Sequence, residues 1–308
     1  MVERVRCRTL LLVALASAIG TGCRSSESSS QPAAGSAERA PSIVTTADKL
    51  PHPLLWSAEK DGKTTYLLGT IHVGVDAETK LPASVWDKLA AARSFAMETD
   101  LSDPAIATLP LRDTGTLHED LGAEYWQKLQ DAVSPGIASR IDRMKPLVAV
   151  AQLSLRGLPP TLPMDGVLLD HAKRDGKPIV YLESASREGA ILEKWMNARA
   201  LKEMLDDLTD IERLSKDMLA AYLAGDDAKM LALTERELRS WLKHGHTEVE
   251  YEQEMADLIY DRNASWIEAI EKLHGGGGGF VAVGAMHLIG KRSVLEMLAA
   301  RGFTITRL

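Results

Sequence analysis

The sequence predicts an α/β fold, a mainly parallel central sheet flanked by helices, with a helix-rich block between the third and last core strands. Three observations carry this. The short runs Ser94–Met97, Pro178–Leu182 and Phe280–Val283 are mostly apolar, as strands covered on both faces must be. Stretches of helical spacing separate them, with Leu208, Ile211, Leu214, Met218, Leu219, Tyr222 and Leu223 recurring at intervals of three and four before Gly225 supplies a stop. Two strands, one near each end of the domain, run into the same Gly-x-x-His pattern. Alternation of strand and helix is what a largely parallel sheet requires.

In chain order, Arg4, Arg6 and Arg8 precede the apolar run Leu10 to Ile19, and Gly20, Thr21, Gly22 and Cys23 follow. A basic start, a short apolar core and small residues describe a secretory signal peptide over residues 1–22. The run is too short to span a bilayer, which takes about 20 apolar residues. Small residues ending at a single Cys resemble a bacterial lipobox, with Gly20 standing where Leu is usual, so Cys23 is the expected lipidation site. Residues 23–50, rich in Ser, Ala and Pro, read as a flexible linker that cannot bury enough surface to offset its ordering entropy. Residues 51–308 read as one domain. The expectation is an exported protein of the cell envelope, held at the membrane by a lipid anchor.

Composition excludes several classes. Apolar residues at 45% and charged residues at 26% suit a globular core rather than a disordered chain. Lys and Arg number 36 against 43 Asp and Glu, and no basic run interrupts the net charge of −7, so no nucleic-acid partner is expected. Loss of residues 1–22 removes three Arg and one Glu and takes the charge to −9. The two cysteines, Cys7 and Cys23, both precede the domain, which leaves its chemistry to His, carboxylate, Ser/Thr, Lys or Arg.

Within the domain, Leu54–Ala58 and Lys63–Leu68 flank Asp61-Gly62 and read as a hairpin. Ala228–Trp241 and Val249–Leu273 read as helices. Gly275–Gly279 lacks the Lys-Ser/Thr ending of a phosphate loop and precedes a strand, so it reads as a flexible connection.

The strand ends carry the chemistry. Tyr66-Leu67-Leu68 runs into Gly69-Thr70-Ile71-His72, and Val281-Ala282-Val283 into Gly284-Ala285-Met286-His287. The run ending at Met97 leads to Glu98 and Asp100, and the run ending at Leu182 leads to Glu183. Carboxyl ends of parallel strands share one edge, where open α/β sheets hold ligands. A glycine three residues before each His permits positive φ or close backbone approach. Imidazoles and carboxylates without thiolate suit a divalent ion such as Mn, Co, Zn or Fe. A single Gly-x-x-His recurs by chance, and a single strand-end carboxylate ordinarily caps a helix or meets solvent.

These segments, together with Trp56, Met164-Asp165, Gly176-Lys177-Pro178, Arg262-Asn263, Leu288-Ile289-Gly290 and Arg301-Gly302-Phe303, resemble the TraB/GumN family over most of residues 53–308. That family includes the Tiki membrane proteases, and its wider group includes the ChaN and erythromycin-esterase-like folds. The resemblance implies divalent-metal dependence, with His72 and His287 as the motif histidines and Glu98 as the glutamate after the first.

Other candidates follow. Glu183 is read as a ligand, a base, or the start of a helix at Glu183-Ser184. Asp165 is read as an N-cap, a ligand, or a partner to a histidine. Arg262, by default a solvated helix residue, matches the family's Arg-Asn pair and would hold a substrate carboxylate or an oxyanion. His244 and His246 read as a polar loop between helices, and His52, His118, His171 and His274 as surface residues. Ser184 and Ser186 lack the elbow of a serine hydrolase. Replacement of His72, His287 or Arg262 is expected to spare the fold.

Two functions stay open on these residues. One is an exported metal-dependent hydrolase acting on a peptide or small-molecule substrate, with Glu98 or Glu183 moving the proton. The other is a non-catalytic protein that sequesters a peptide, a haem-like ligand or a metal in the same crevice.

Overall fold

The computed structural model describes residues 49–308, apart from the side chains of 236–240. The expected leader, Cys23 and nearly all of the linker lie outside the described residues. Six strands form one mixed sheet in the order β4-β3-β5-β2-β1-β6. They are β1 (Leu55–Lys60), β2 (Lys63–Thr70), β3 (Phe95–Met97), β4 (Ile179–Tyr181), β5 (Phe280–Gly284) and β6 (Thr304–Arg307). β4, β3, β5 and β2 pair in parallel, while β1 is antiparallel to both β2 and β6.

The hairpin forms because Asp61 and Gly62 both take positive φ, 51° and 69°, as the two central residues of a tight hairpin turn require. β5 lies between β3 and β2, and all five of its residues are buried. Phe280 and Phe95 are register partners whose rings stack 6.3 Å apart, filling the sheet centre where Gly or a polar residue would leave a void. β4 differs from expectation. Its three residues are only half-buried, because it forms the edge of the sheet. β6 was not foreseen. Its pattern of alternating exposed and half-buried residues suits the opposite edge, where the antiparallel partner is β1.

Between β4 and β5 the chain passes through helices at Ala185–Trp195, Ala198–Asp206, Leu208–Ala224, Asp227–Lys243, Glu248–Met255 and Asp261–Gly275. The Leu208–Ala224 helix buries Ile211, Leu214, Met218 and Tyr222 on one face and stops at Gly225, whose φ is 66°. Tyr222 is fully buried and donates its hydroxyl to the carbonyl of Gly69 at 2.9 Å, which ties this helix to the end of β2. A π-helical turn at Ala256–Tyr260 precedes the Asp261–Gly275 helix. Such a turn absorbs an extra residue, and it comes directly before Arg262 and Asn263, both buried.

The five-glycine run is a packed connection rather than a loose one. Gly277 and Gly278 hold φ of 114° and 85°, and a Cβ on Gly278 would lie 2.0 Å from the carbonyl oxygen of Thr64. Only glycine lets β5 enter this close to β2. Among the described residues no helix is long and apolar enough to cross a membrane.

Candidate metal centre at the strand ends

Because β2, β5, β3 and β4 are parallel, their carboxyl ends share one edge. The register continues past the strands: the N–H of Glu183 donates to the carbonyl of Glu98 at 2.9 Å, so these two carboxylates start from adjacent backbone. Gly284 is opposite Thr70, which sets the two Gly-x-x-His turns side by side.

His72 leaves β2 with φ of 59°, a left-handed conformation rare for a residue with a side chain. Its surroundings fix it there. Its carbonyl accepts the N–H of Met164 at 2.6 Å, and its Nδ1 lies 2.6 Å from Asp165 Oδ2. Asp165 Oδ1 accepts from the Thr70 hydroxyl at 2.8 Å. Asp165 stands in the first turn of the Met164–Arg174 helix and caps nothing; Pro163 occupies the cap. Its two oxygens engage Thr70 at the end of β2 and His72 just beyond it, so it orients His72 and leaves Nε2 of that ring facing the centre. Burial alone would lower the pKa of His72, but Asp165, with Glu98 and Glu188, outweighs it and raises the pKa to about 9.

His287 sits in the short Ala285–Leu288 helix, 2% exposed, with Trp266 packed 4.5 Å from its ring. Its Nδ1 lies 2.7 Å from Asn263 Oδ1. Burial, Arg262 and His72 disfavour a charge on this ring more than Glu98 favours one, and its pKa falls to about 3. His287 is therefore neutral. Glu98 accepts from the N–H of Gly284 at 2.6 Å and from Arg262 Nη2 at 2.8 Å. Burial would raise its pKa, but interactions with His287, Arg262 and His72 and the bond from the Gly284 N–H hold it at about 2.

The three groups meet at one point. A Cβ on Gly284 would lie 3.2 Å from His72 Nε2, 3.4 Å from Glu98 Oε1 and 3.5 Å from His287 Cδ2. The φ of Gly284 is −51°, so its lack of a side chain provides space and not a special backbone. Gly69 serves likewise, since a Cβ there would approach Ala285 Cα at 3.0 Å. Of the two reasons anticipated for a glycine in each motif, close approach is the one that operates. The positive φ falls on His72 itself.

Arg262 is placed at this edge but is neither solvated nor free to hold a substrate. Its Nε donates to Glu183 at 2.7 Å, its Nη2 to Glu98 at 2.8 Å and Glu188 at 3.1 Å, and its Nη1 to the Leu258 carbonyl at 3.2 Å. Nη1 also lies 3.4 Å from His287 Nε2. With every nitrogen engaged by the protein and 1% of the residue exposed, the guanidinium acts as an internal counter-ion.

Glu188 was not anticipated. It lies on the buried face of the Ala185–Trp195 helix with Ala185, Gly189 and Leu192, and an acidic residue on an apolar stripe was the available signal. Burial raises its pKa against the pull of Arg262. Glu183 follows the same logic: burial and the charges of Glu188 and Glu98 outweigh Arg262 and lift its pKa to about 7. Its Oε2 has no hydrogen-bond partner and lies 3.6 Å from Arg187 Nη1. Capping of the next helix falls to Ser184, which accepts from the N–H of Arg187.

The remaining histidines divide. His52 and His118 are exposed and His171 is half-buried against Glu78. His274 is buried, bonding Thr65 Oγ1 at 2.9 Å and the Lys60 carbonyl at 3.0 Å, so its ring joins the helix end to the hairpin. His244 and His246 do lie between two helices, but His246 is buried against Trp241 and pairs with Glu203 at 2.9 Å.

As donors, two imidazole nitrogens and a carboxylate suit a borderline divalent ion. His287 Nε2 and Glu98 Oε2 are 3.9 Å apart, within the roughly 4 Å that two bonds of about 2 Å to one ion allow. Each carboxylate oxygen keeps a lone pair beyond the bond it already accepts. The group among the described residues whose ligand oxygens lie within 4.8 Å of one another is Glu98, Glu183 and Glu188, and Arg262 lies among them.

The chain matches the model of the TraB/PrgY/gumN family over residues 54–307. It is similar to the uncharacterized protein YbaP of Shigella flexneri, 28% identical over 248 residues that cover 76% of this chain and 87% of YbaP. The likeness to uncharacterized YbaP of Escherichia coli (strain K12) is 28% over 247 residues, with the same coverage. No solved structure matches it. The family match takes in both Gly-x-x-His turns and every carboxylate gathered at the sheet edge, and the chain belongs to the TraB/PrgY/gumN family.

Proposed function

We propose that the protein is an exported, lipid-anchored hydrolase that depends on a divalent metal ion and acts on peptides. The observation that carries this reading is the approach of His72 Nε2, Glu98 Oε1 and the His287 ring to the space left by the missing Cβ of Gly284. His72, His287 and Glu98 would hold the ion, whether Mn, Co, Zn or Fe. Bound there, such an ion lowers the pKa of a coordinated water and polarises a carbonyl.

The chain's own residues supply the rest. Asp165 holds the Nδ1 proton of His72 and keeps Nε2 directed to the centre. Glu183, lifted to about 7, is poised to take and return a proton near neutral pH at Oε2, which accepts no hydrogen bond. Arg262 offsets the repulsion among Glu98, Glu183 and Glu188 and so keeps the three together. We read the helices between β4 and β5 as a helix-rich block that serves the site, since Glu188, Arg262 and Asn263 come from it. On this reading the leader and Cys23 would hold the domain at the cell envelope, facing a peptide or small-molecule substrate outside the cytoplasm.

Metal analysis of the purified protein, followed by a peptide-library cleavage assay with and without chelator, tests the reading. Stoichiometric metal and chelator-sensitive cleavage are expected. Metal without turnover of any peptide or ester leaves a sequestering protein, and the absence of bound metal after loading ends the metal reading.

A further inference from the structure

Asn263 is fully buried, and its amide spans two fixed points. Nδ2 donates to the backbone carbonyl of Arg292 at 2.9 Å, and Oδ1 lies 2.7 Å from His287 Nδ1. A backbone carbonyl can only accept, so the amide nitrogen must face Arg292 and the amide oxygen must face the imidazole. An amide oxygen in turn only accepts, so the proton of a neutral His287 resides on Nδ1. Nε2 is then left with its lone pair, on the side of Glu98 Oε2 at 3.9 Å and Arg262 Nη1 at 3.4 Å.

The far end of this relay is built with equal care. Arg292 takes φ of 55°, a left-handed conformation at a residue that bears a side chain. It is pinned by its own N–H, which donates to Glu296, and by Ser293, which caps the helix that follows. That turn aims the carbonyl at Asn263. Backbone strain of this kind persists only where the surroundings enforce it, and here it serves one hydrogen bond.

We propose that Asn263 is a positioning residue that fixes His287 as its Nδ1–H tautomer, and that the Arg292 carbonyl sets Asn263 for this task. The two histidines are thus prepared by different means, His72 by a carboxylate and His287 by an amide. The amide decides which nitrogen of the ring is bare. The consequence for an ion rests on the metal-dependent reading above; the tautomer itself does not.

The test uses the full chain, free of metal and 15N-labelled at histidine, with His287 assigned by comparison with His287→Gln. The 15N shifts should show a protonated Nδ1 and a bare Nε2. Asn263→Asp, which puts a carboxylate at Nδ1 as Asp165 does for His72, should keep the Nδ1 proton but favour the charged ring, whereas Asn263→Leu, which has no acceptor, should move the proton toward Nε2. Zinc(II) affinity should fall about 10- to 100-fold in Asn263→Leu, the usual effect of losing a partner that orients a ligand. A wild-type ring protonated on Nε2 overturns the proposal, and that spectrum needs no variant to fold. An unchanged tautomer in folded Asn263→Leu also overturns it and gives the role to Arg262 Nη1. A shifted tautomer with unchanged zinc affinity overturns the claim that Asn263 prepares His287 for an ion. If wild type binds no zinc, the metal reading fails and the 15N spectra alone decide the role of Asn263.

Discussion

His72 Nδ1 and Asp165 Oδ2 lie 2.6 Å apart although 93 positions separate them in the chain. The contact is buried, and it accounts for a histidine held at φ of 59° at the end of a strand. It also ties the start of the Met164–Arg174 helix to the sheet edge, so one hydrogen bond serves both the fold and the site.

The pair makes stability depend on pH in the metal-free protein. His72 has a folded pKa of about 9 against about 6.5 when unfolded, so its stabilisation is complete below pH 6.5 and is lost as pH rises to 9. His287, held down to about 3, acts oppositely: its contribution is present above pH 6.5 and is lost as pH falls toward 3. Urea midpoints measured in chelator should fall from pH 6.5 to 9, and Asp165→Asn should flatten that slope. A flat wild-type profile would rule out a charged His72–Asp165 pair.

His72→Ala or His287→Ala should each abolish metal retention, measured after loading and desalting, because each removes a donor nitrogen. Asp165→Asn should weaken retention about 10- to 100-fold, since it alters only the partner of His72. Full retention by both histidine variants would place the ion elsewhere.

Gly284→Ala tests the site by filling it. The backbone at φ of −51° accepts alanine, so only the new methyl matters, 3.2 Å from His72 Nε2. Overpacking should cost about 1–3 kcal/mol by denaturant titration, with metal retention lost. Gly69→Ala is the control: its methyl meets Ala285 Cα at 3.0 Å, so stability should fall while any folded protein still binds metal.

Arg262→Ala should destabilise rather than merely slow turnover, which reverses what the sequence suggests. The substitution strands the buried carboxylates of Glu98, Glu183 and Glu188, and breaking such a cluster costs about 3–5 kcal/mol. The loss should be smaller at pH 5 than at pH 8, because the stranded carboxyls can take up protons in acid. Arg262→Lys should recover only part of it, a point charge being unable to reach all three partners. Denaturation of Arg262→Ala at wild-type urea concentrations would refute the counter-ion role.

Cys23→Ser should move the protein from the membrane fraction to the soluble fraction of the envelope, as measured by fractionation with detergent controls. Retention in the membrane would remove the lipid anchor from the reading.

Local patterning made legible the α/β class, the hairpin, the short parallel strands β3, β4 and β5 and the strand-end positions of His72, Glu98, Glu183 and His287. Hydrophobic runs and turn residues act over a few positions, so their consequences are legible locally. The sequence also sufficed for the family. The tertiary structure decided the partners. No spacing rule links Asn263 to His287, Asp165 to His72, or Glu188 to Arg262, because each contact depends on how a helix packs against the sheet edge. The same holds for Arg262, whose place in a helix suggests solvent until the π-turn at Ala256–Tyr260 and the burial of that face are known. β6 escaped notice because an edge strand is only half-covered and lacks an apolar run. Local propensity writes elements into the sequence, whereas the desolvation and pairing of charges arise only when distant elements exclude water between them.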